Sequence, residues 1–154
     1  MNIRYAVRVF AIKEGKIVCI RYDENALNSG FYDIPGGKIE EGETEIEACK
    51  REFKEETGMS VDDLRCIGKV ITKYPERVFS FKIYVAGIVE GKPCKKENND
   101  IYWMPIEDLR KQKKRFAVTH VLDEEFMQDF KDGNINVEFT CDKEHNILIT
   151  ENKI

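Results

Sequence analysis

The sequence predicts a single α/β domain. Three observations support this: β-branched and aromatic runs at both ends of the chain, one capped amphipathic helix between them, and turn signals that follow one another without a linker. The 154 residues fit the roughly 100 to 200 of one domain, so residues 1–154 are taken as one unit, able to bury about two thirds of its surface. Charged residues make up 35% and hydrophobic ones 42%, with nine Phe and six Tyr to fill a core, which excludes disordered and fibrous classes. With 25 basic against 29 acidic residues the net charge is −4, arguing against bulk attraction to nucleic acid or an anionic membrane. Any polyanionic partner must then be held by a local device. The sequence has no run of about 18 apolar residues, and Met1-Asn2-Ile3-Arg4-Tyr5 lacks a secretory pattern, so the expectation is a cytosolic protein with neither membrane nor nucleic acid as partner. Cys19, Cys49, Cys66, Cys94 and Cys141 are widely spaced and form no CxxC pair; they are expected to be reduced thiols packed as small apolar residues.

Ile3 to Ala11 alternates as a strand and Lys16 to Tyr22 follows the Glu14-Gly15 turn, which predicts an N-terminal hairpin. Phe31 to Ile34 reads as a strand that halts at the Pro35-Gly36-Gly37 turn. From Thr44 the period becomes helical: Thr44 and Glu47 form a capping box, Ile46, Cys49, Phe53 and Thr57 make an apolar stripe, and Gly58 ends the helix. Leu64 to Tyr74 and Val78 to Val89 read as a long hairpin about Pro75-Glu76-Arg77. Ile101 to Met104 reads as a short strand leading into a helix at Ile106 to Leu109. Thr119 to Phe130 reads as a second longer helix ended by Asp132-Gly133, and Asn136 to Cys141 with Asn146 to Thr150 as a terminal hairpin.

The chemistry concentrates in the capped helix. At 100° per residue Glu55, Glu52 and Glu56 share one arc of about 100° beside the apolar stripe. Like charges at these spacings destabilise a helix by about 0.2 to 0.5 kcal/mol per pair, and they stand toward its negative end. A counter-ion must offset them. Arg51 can neutralise one; the remaining oxygens suit a hard divalent cation, Mg²⁺ with Mn²⁺ as the alternative, and Mg²⁺ tends to share its shell with substrate phosphates. A solvated acidic helix face is the plainer reading of such a cluster taken by itself.

Residues 37–59 resemble the Nudix box, Gx5Ex7REUxEExGU with U apolar, at every specified position: Gly37, Glu43, Arg51-Glu52-Phe53, Glu55-Glu56, Gly58 and Met59. The resemblance implies an α/β/α sandwich with a mixed sheet and a catalytic loop-helix-loop, and Mg²⁺-dependent cleavage of a diphosphate linkage in a nucleoside diphosphate derivative. By motif position it implies Glu52, Glu55, Glu56 and the Gly37 carbonyl as metal ligands, Arg51 as the residue that orients a catalytic glutamate, and Glu43 as a brace for the loop. Family members often add a glutamate from outside the box. Here Glu97 is the candidate metal ligand or general base, with Asp100 as its rival, so either Glu55 or Glu97 would take the proton from the attacking water. Arg21, Gly36 and Lys38 are the candidate substrate contacts, an exposed strand-end arginine being the other reading of Arg21. The expected substrate is a (d)NTP or oxidised nucleotide such as 8-oxo-dGTP, cleaved to NMP and pyrophosphate. ADP-ribose, a nucleotide sugar or a dinucleoside polyphosphate is the alternative, and a non-catalytic nucleotide or RNA sensor a further one. The family often dimerises, so a homodimer is an option.

Outside the box, Arg4 and Arg8 are expected to face solvent, and Arg110 to Arg115 to be a solvated helix terminus. Phe31, Tyr32 and Tyr74 are expected in the core, with stacking on a base as the second reading. His120 and His145 receive no role.

Overall fold

The computed structural model describes residues 2–23, 28–95 and 99–153. Its strands and helices run β1 (Ile3–Phe10), β2 (Ile12–Lys13), β3 (Lys16–Tyr22), β4 (Tyr32–Asp33), β5 (Gly36–Lys38), α1 (Glu45–Thr57), β6 (Ser60–Lys73), β7 (Val78–Glu90), β8 (Asn99–Pro105), α2 (Ile106–Arg110), α3 (Met127–Asp132), β9 (Ile135–Cys141) and β10 (Ile147–Asn152). Two 3₁₀ segments, Ala117–Leu122 and Glu124–Phe126, precede α3. The larger sheet has the order β10-β9-β6-β7-β1-β5 and is mixed: β1 with β7 and β6 with β9 are parallel, the other pairs antiparallel. A smaller sheet joins β2, β3 and β4, with β8 antiparallel to β3.

Each face of the larger sheet has its own core. On one, Val7, Val9, Met59 and Tyr84 meet Ala48, Cys49 and Phe53 of α1. On the other, Ala6, Phe10, Ile67, Val70 and Ile83 meet Leu109, Val121, Leu122, Phe126 and Phe130 of the helical segments. Alternating strand side chains thus serve both layers, which is the expected α/β/α arrangement.

Several elements depart from the expectations. The N-terminal hairpin is only Ile12–Lys13 against Lys16–Ile17; β1 instead lies inside the larger sheet, because its alternation gives it two faces to bury but does not name its partner. Gly36 to Lys38 is a short edge strand rather than a turn, antiparallel to β1 with Arg8 opposite Gly36. The expected helix over Thr119 to Phe130 is broken at Asp123, whose ψ of 153° is extended and whose carboxylate takes Arg115 Nη2 at 2.9 Å and His120 Nδ1 at 2.9 Å. Arg115 is therefore buried instead of ending a solvated terminus. Burial along α1 begins at Ala48, leaving Ile46 of the expected stripe exposed. Cys19, Cys49 and Cys141 are buried as expected, whereas Cys66 and Cys94 are exposed.

Candidate active site

The site is assembled by α1 and the loop before it. Thr44 caps the helix as the capping box requires: its Oγ1 accepts from the Glu47 N–H at 3.1 Å, and Glu47 Oε1 accepts from the Thr44 N–H at 2.9 Å. The left-handed Gly58 closes the other end. Arg51 is the hub. It donates through Nε and Nη2 to both oxygens of Glu43, at 2.6 and 2.8 Å, and through Nη1 to Glu52 at 2.9 Å and Glu55 at 3.3 Å. Nη2 also reaches the Lys38 carbonyl at 3.0 Å, tying helix to loop. The fork-on-carboxylate geometry holds the Glu43 carboxyl down at about 2, with the Glu40 N–H assisting. Glu43 is thus a brace, the part that the motif assigned to it.

Two glycines bring backbone against the acids. The Gly36 N–H donates to Glu56 Oε1 at 3.1 Å, and a Cβ on Gly37 would occupy the space of the Glu52 carboxylate. Glu52 and Glu56 therefore stand side by side over the Gly36-Gly37 strand, while Glu55 is 60% exposed at the rim. Burial pushes the Glu56 carboxyl up to about 8, against the pull of Arg8 and the Gly36 N–H, and the neighbouring Asp33 and Glu52 charges raise it further.

This donor set fits a hard divalent cation. Crowded carboxylate oxygens with depleted water are what such an ion neutralises, and the missing Cβ of Gly37 leaves room for the Glu52 carboxylate against the strand. Among the described residues no three His, Cys, Asp or Glu side chains close into a cage by themselves. A cation that retains several waters and takes phosphate oxygens needs only one or two carboxylates.

The other candidates are placed less uniformly. Lys38 lines a groove of about 670 Å³ with Gly37, Phe79, Phe81 and Arg8. Arg21 lies on the smaller sheet and is ion-paired with Asp100 at 3.9 Å, and Lys95 holds the same carboxylate at 3.2 Å. Asp100 is thereby occupied by two cations. Glu97 lies outside the described residues.

Residues from distant segments form a second part of the site that no local spacing announced. Arg8, expected at the surface, lays its guanidinium 4.4 Å from the Phe81 ring centroid and 3.7 Å from the buried Asp33. Burial raises the Asp33 carboxyl, while Arg8 and the Ile34 N–H work to lower it. Both residues line a cavity of about 210 Å³ with Thr72, Tyr74, Phe116 and His145. The groove adjoins this cavity, since Arg8, Phe79 and Phe81 border both. One signal in the sequence was available: Asp33 is a lone carboxylate in an apolar strand.

Comparison with known proteins places the chain in a family. The family model for the NUDIX domain matches residues 2–127, and the chain belongs to the Nudix family. Within it the chain is a MutT-like hydrolase. It is 29% identical over 108 residues to the 8-oxo-dGTP diphosphatase of Escherichia coli K12, covering 70% of this chain and 84% of that one. It is 31% identical over 95 residues to the oxidized purine nucleoside triphosphate hydrolase of Mus musculus, covering 60% of each. A MutT protein from Bacillus halodurans shares the fold with a TM-score of 0.80 over 96% of both chains, at 18% identity. Nudix hydrolases generally use a divalent metal. Among the described residues no helix is long and apolar enough to cross a membrane.

Proposed function

We propose that the protein is a cytosolic Mg²⁺-dependent pyrophosphohydrolase that cleaves an oxidised purine nucleoside triphosphate such as 8-oxo-dGTP to the monophosphate and pyrophosphate. The observation that carries this reading is the placement of Glu52 and Glu56 against the Gly36-Gly37 backbone, with Arg51 holding Glu52, in a chain whose relatives bear these activities in their names.

Glu52, Glu56 and the Gly37 carbonyl would hold the cation, with Mn²⁺ able to substitute for Mg²⁺. When bound, it supplies positive charge against the phosphate oxygens and a more acidic water. Arg51 fixes the Glu52 and Glu55 carboxylates in orientation, sparing the helix the repulsion of its own acids. Glu55, the most solvent-accessible of the three box acids over the helix face, accepts a proton from the water attacking phosphorus in line, Glu97 being the second candidate for that step. Lys38, which lines the groove next to Gly37, meets the phosphates.

The test is turnover with Mg²⁺ across (d)NTPs, 8-oxo-dGTP, ADP-ribose and diadenosine polyphosphates, reading pyrophosphate and monophosphate directly. Selective release of pyrophosphate from 8-oxo-dGTP is the expected result, and Glu52→Gln or Glu56→Gln lowers kcat by orders of magnitude with an unchanged circular dichroism spectrum. Near-normal turnover in both variants would overturn the assignment.

A further inference from the structure

The α1 side of the larger sheet is covered only in part. Val7, Val9, Tyr84 and Ala86 pack with the helix, and the Tyr84 O–H donates to Glu45 Oε1 at 2.6 Å, in its first turn. Strand alternation carries the same face on past that turn. Two residues before Tyr84 on β7 stands Lys82, opposite Lys69 on β6, and Asn136 of β9 lies beside Lys69. Two residues further along come Ile71 of β6, Tyr5 of β1 and Glu138 of β9, and then Lys73. Lys73, Lys82 and Asn136 are exposed and Tyr5 is 61% exposed, so nothing among the described residues covers this half of the face.

The charge on this half is positive in a chain whose net charge is −4. Glu138 is buried between Lys73 Nζ at 3.2 Å and Lys153 Nζ at 3.5 Å, and Glu151 stands opposite it on β10. Among the described residues Lys69 and Lys82 form no ion pair with an acid. They are directly opposed across antiparallel β6 and β7, where side chains start about 5 Å apart at Cβ and like charges cost stability. An anion lying across the pair offsets that cost. The net charge that argued against nucleic acid as a partner averages over the whole chain and does not register such a local arrangement.

The shape of the surface selects among polyanions. A membrane is met by apolar side chains grouped for insertion, whereas here the exposed Ile3 and Tyr5 of β1 are separated from the exposed Ile149 of β10 by the strands that carry the lysines. An acidic peptide supplies charge but nothing planar for the Tyr5 ring, and duplex DNA keeps its bases inside. A single strand offers both a run of phosphates and free base faces, and an open sheet with cations and an exposed aromatic ring holds such strands by charge and stacking. We propose that this half of the sheet face binds single-stranded nucleic acid, with phosphates over Lys69 and Lys82 and a base on Tyr5, as a surface additional to the nucleotide site. The inference does not rest on the pyrophosphohydrolase reading.

The experiment follows the fluorescence anisotropy of labelled oligo(U) and oligo(dT) with the full chain in EDTA, across a salt series. Both are expected to bind at low salt, and saturating 8-oxo-dGMP is expected not to displace them. Lys69→Gln/Lys82→Gln should weaken binding about tenfold or more and reduce the slope of log affinity against log salt by about 1.4, two phosphate contacts at about 0.7 each. Because this variant removes a like-charge pair, its melting temperature should equal or exceed that of the unmodified chain, which separates lost binding from lost folding. Tyr5→Ala is expected to weaken binding about fivefold or more and Tyr5→Phe to retain it, since the ring and not the hydroxyl carries the stacking. Absence of binding at low salt, undiminished binding by the lysine double variant, or displacement by 8-oxo-dGMP overturns the proposal. Equal affinity for duplex DNA, phosphatidylserine vesicles or polyglutamate overturns it as well.

Discussion

Gly36 and Gly37 are adjacent yet exclude a side chain for different reasons, and their substitutions separate stability from activity. A Cβ on Gly36, where φ is 158°, would run into the Val7 carbonyl and the Arg8 Cα, which are backbone and cannot turn away. Gly36→Ala is therefore expected to destabilise the protein by about 2 kcal/mol or more, read by urea denaturation. The atoms nearest a Cβ on Gly37 belong to the Glu52 carboxylate, the far end of a flexible side chain, so Gly37→Ala should leave the denaturation midpoint nearly in place and lower kcat more than about tenfold. Glu56 gives a pH signature. Its carboxyl titrates near 8 in the fold against 4.5 ordinarily, so between those values the folded chain retains a proton that the unfolded chain has lost. Stability of the metal-free protein must then fall as pH rises through that window, and Glu56→Gln should flatten the dependence when melting is followed in EDTA from pH 5 to 9. The box acids were legible because one helix spaces them. Arg8, Asp33, Thr72 and His145 were not, because each comes from a different segment and only the sheet pairing and the C-terminal hairpin bring them together.

At the scale of elements, α1 matched its expected ends because cap, stripe and C-terminal glycine agreed, all of them local signals. The segment at Thr119 to Phe130 shows the opposite. Its apolar spacing suits a helix, but Asp123 is drawn out of helical geometry by Arg115 and His120, a tertiary demand that periodicity does not register. Asp123→Ala leaves the Arg115 guanidinium buried without that partner and is expected to cost about 3 kcal/mol, seen as a lower urea midpoint at unchanged slope. The shortened N-terminal hairpin has a similar origin: alternation marks which residues of β1 are buried, while the identity of the neighbouring strand is decided by pairing across the chain.

At the scale of the whole molecule, the acids lie where α1 packs on the larger sheet through β1 and β5, so occupation of the site is coupled to the integrity of that layer. Mg²⁺ or Mn²⁺ at 100 times its dissociation constant is expected to stabilise the fold by about 2.7 kcal/mol, seen as a rise in Tm by differential scanning calorimetry; Glu52→Gln/Glu56→Gln should lose most of that rise. The parallel pairing of β1 with β7, Ile3 opposite Val78 and Phe10 opposite Val85, has a further consequence during synthesis. β1 leaves the ribosome before β7, and this long partner is made only after the whole loop, helix and β6 have followed. Until then the backbone groups of β1 find the three residues of β5 on one side and nothing from β7 on the other. Nascent chains halted before Val78 thus expose an unfinished sheet edge, which makes this interval the one in which the protein most needs a chaperone.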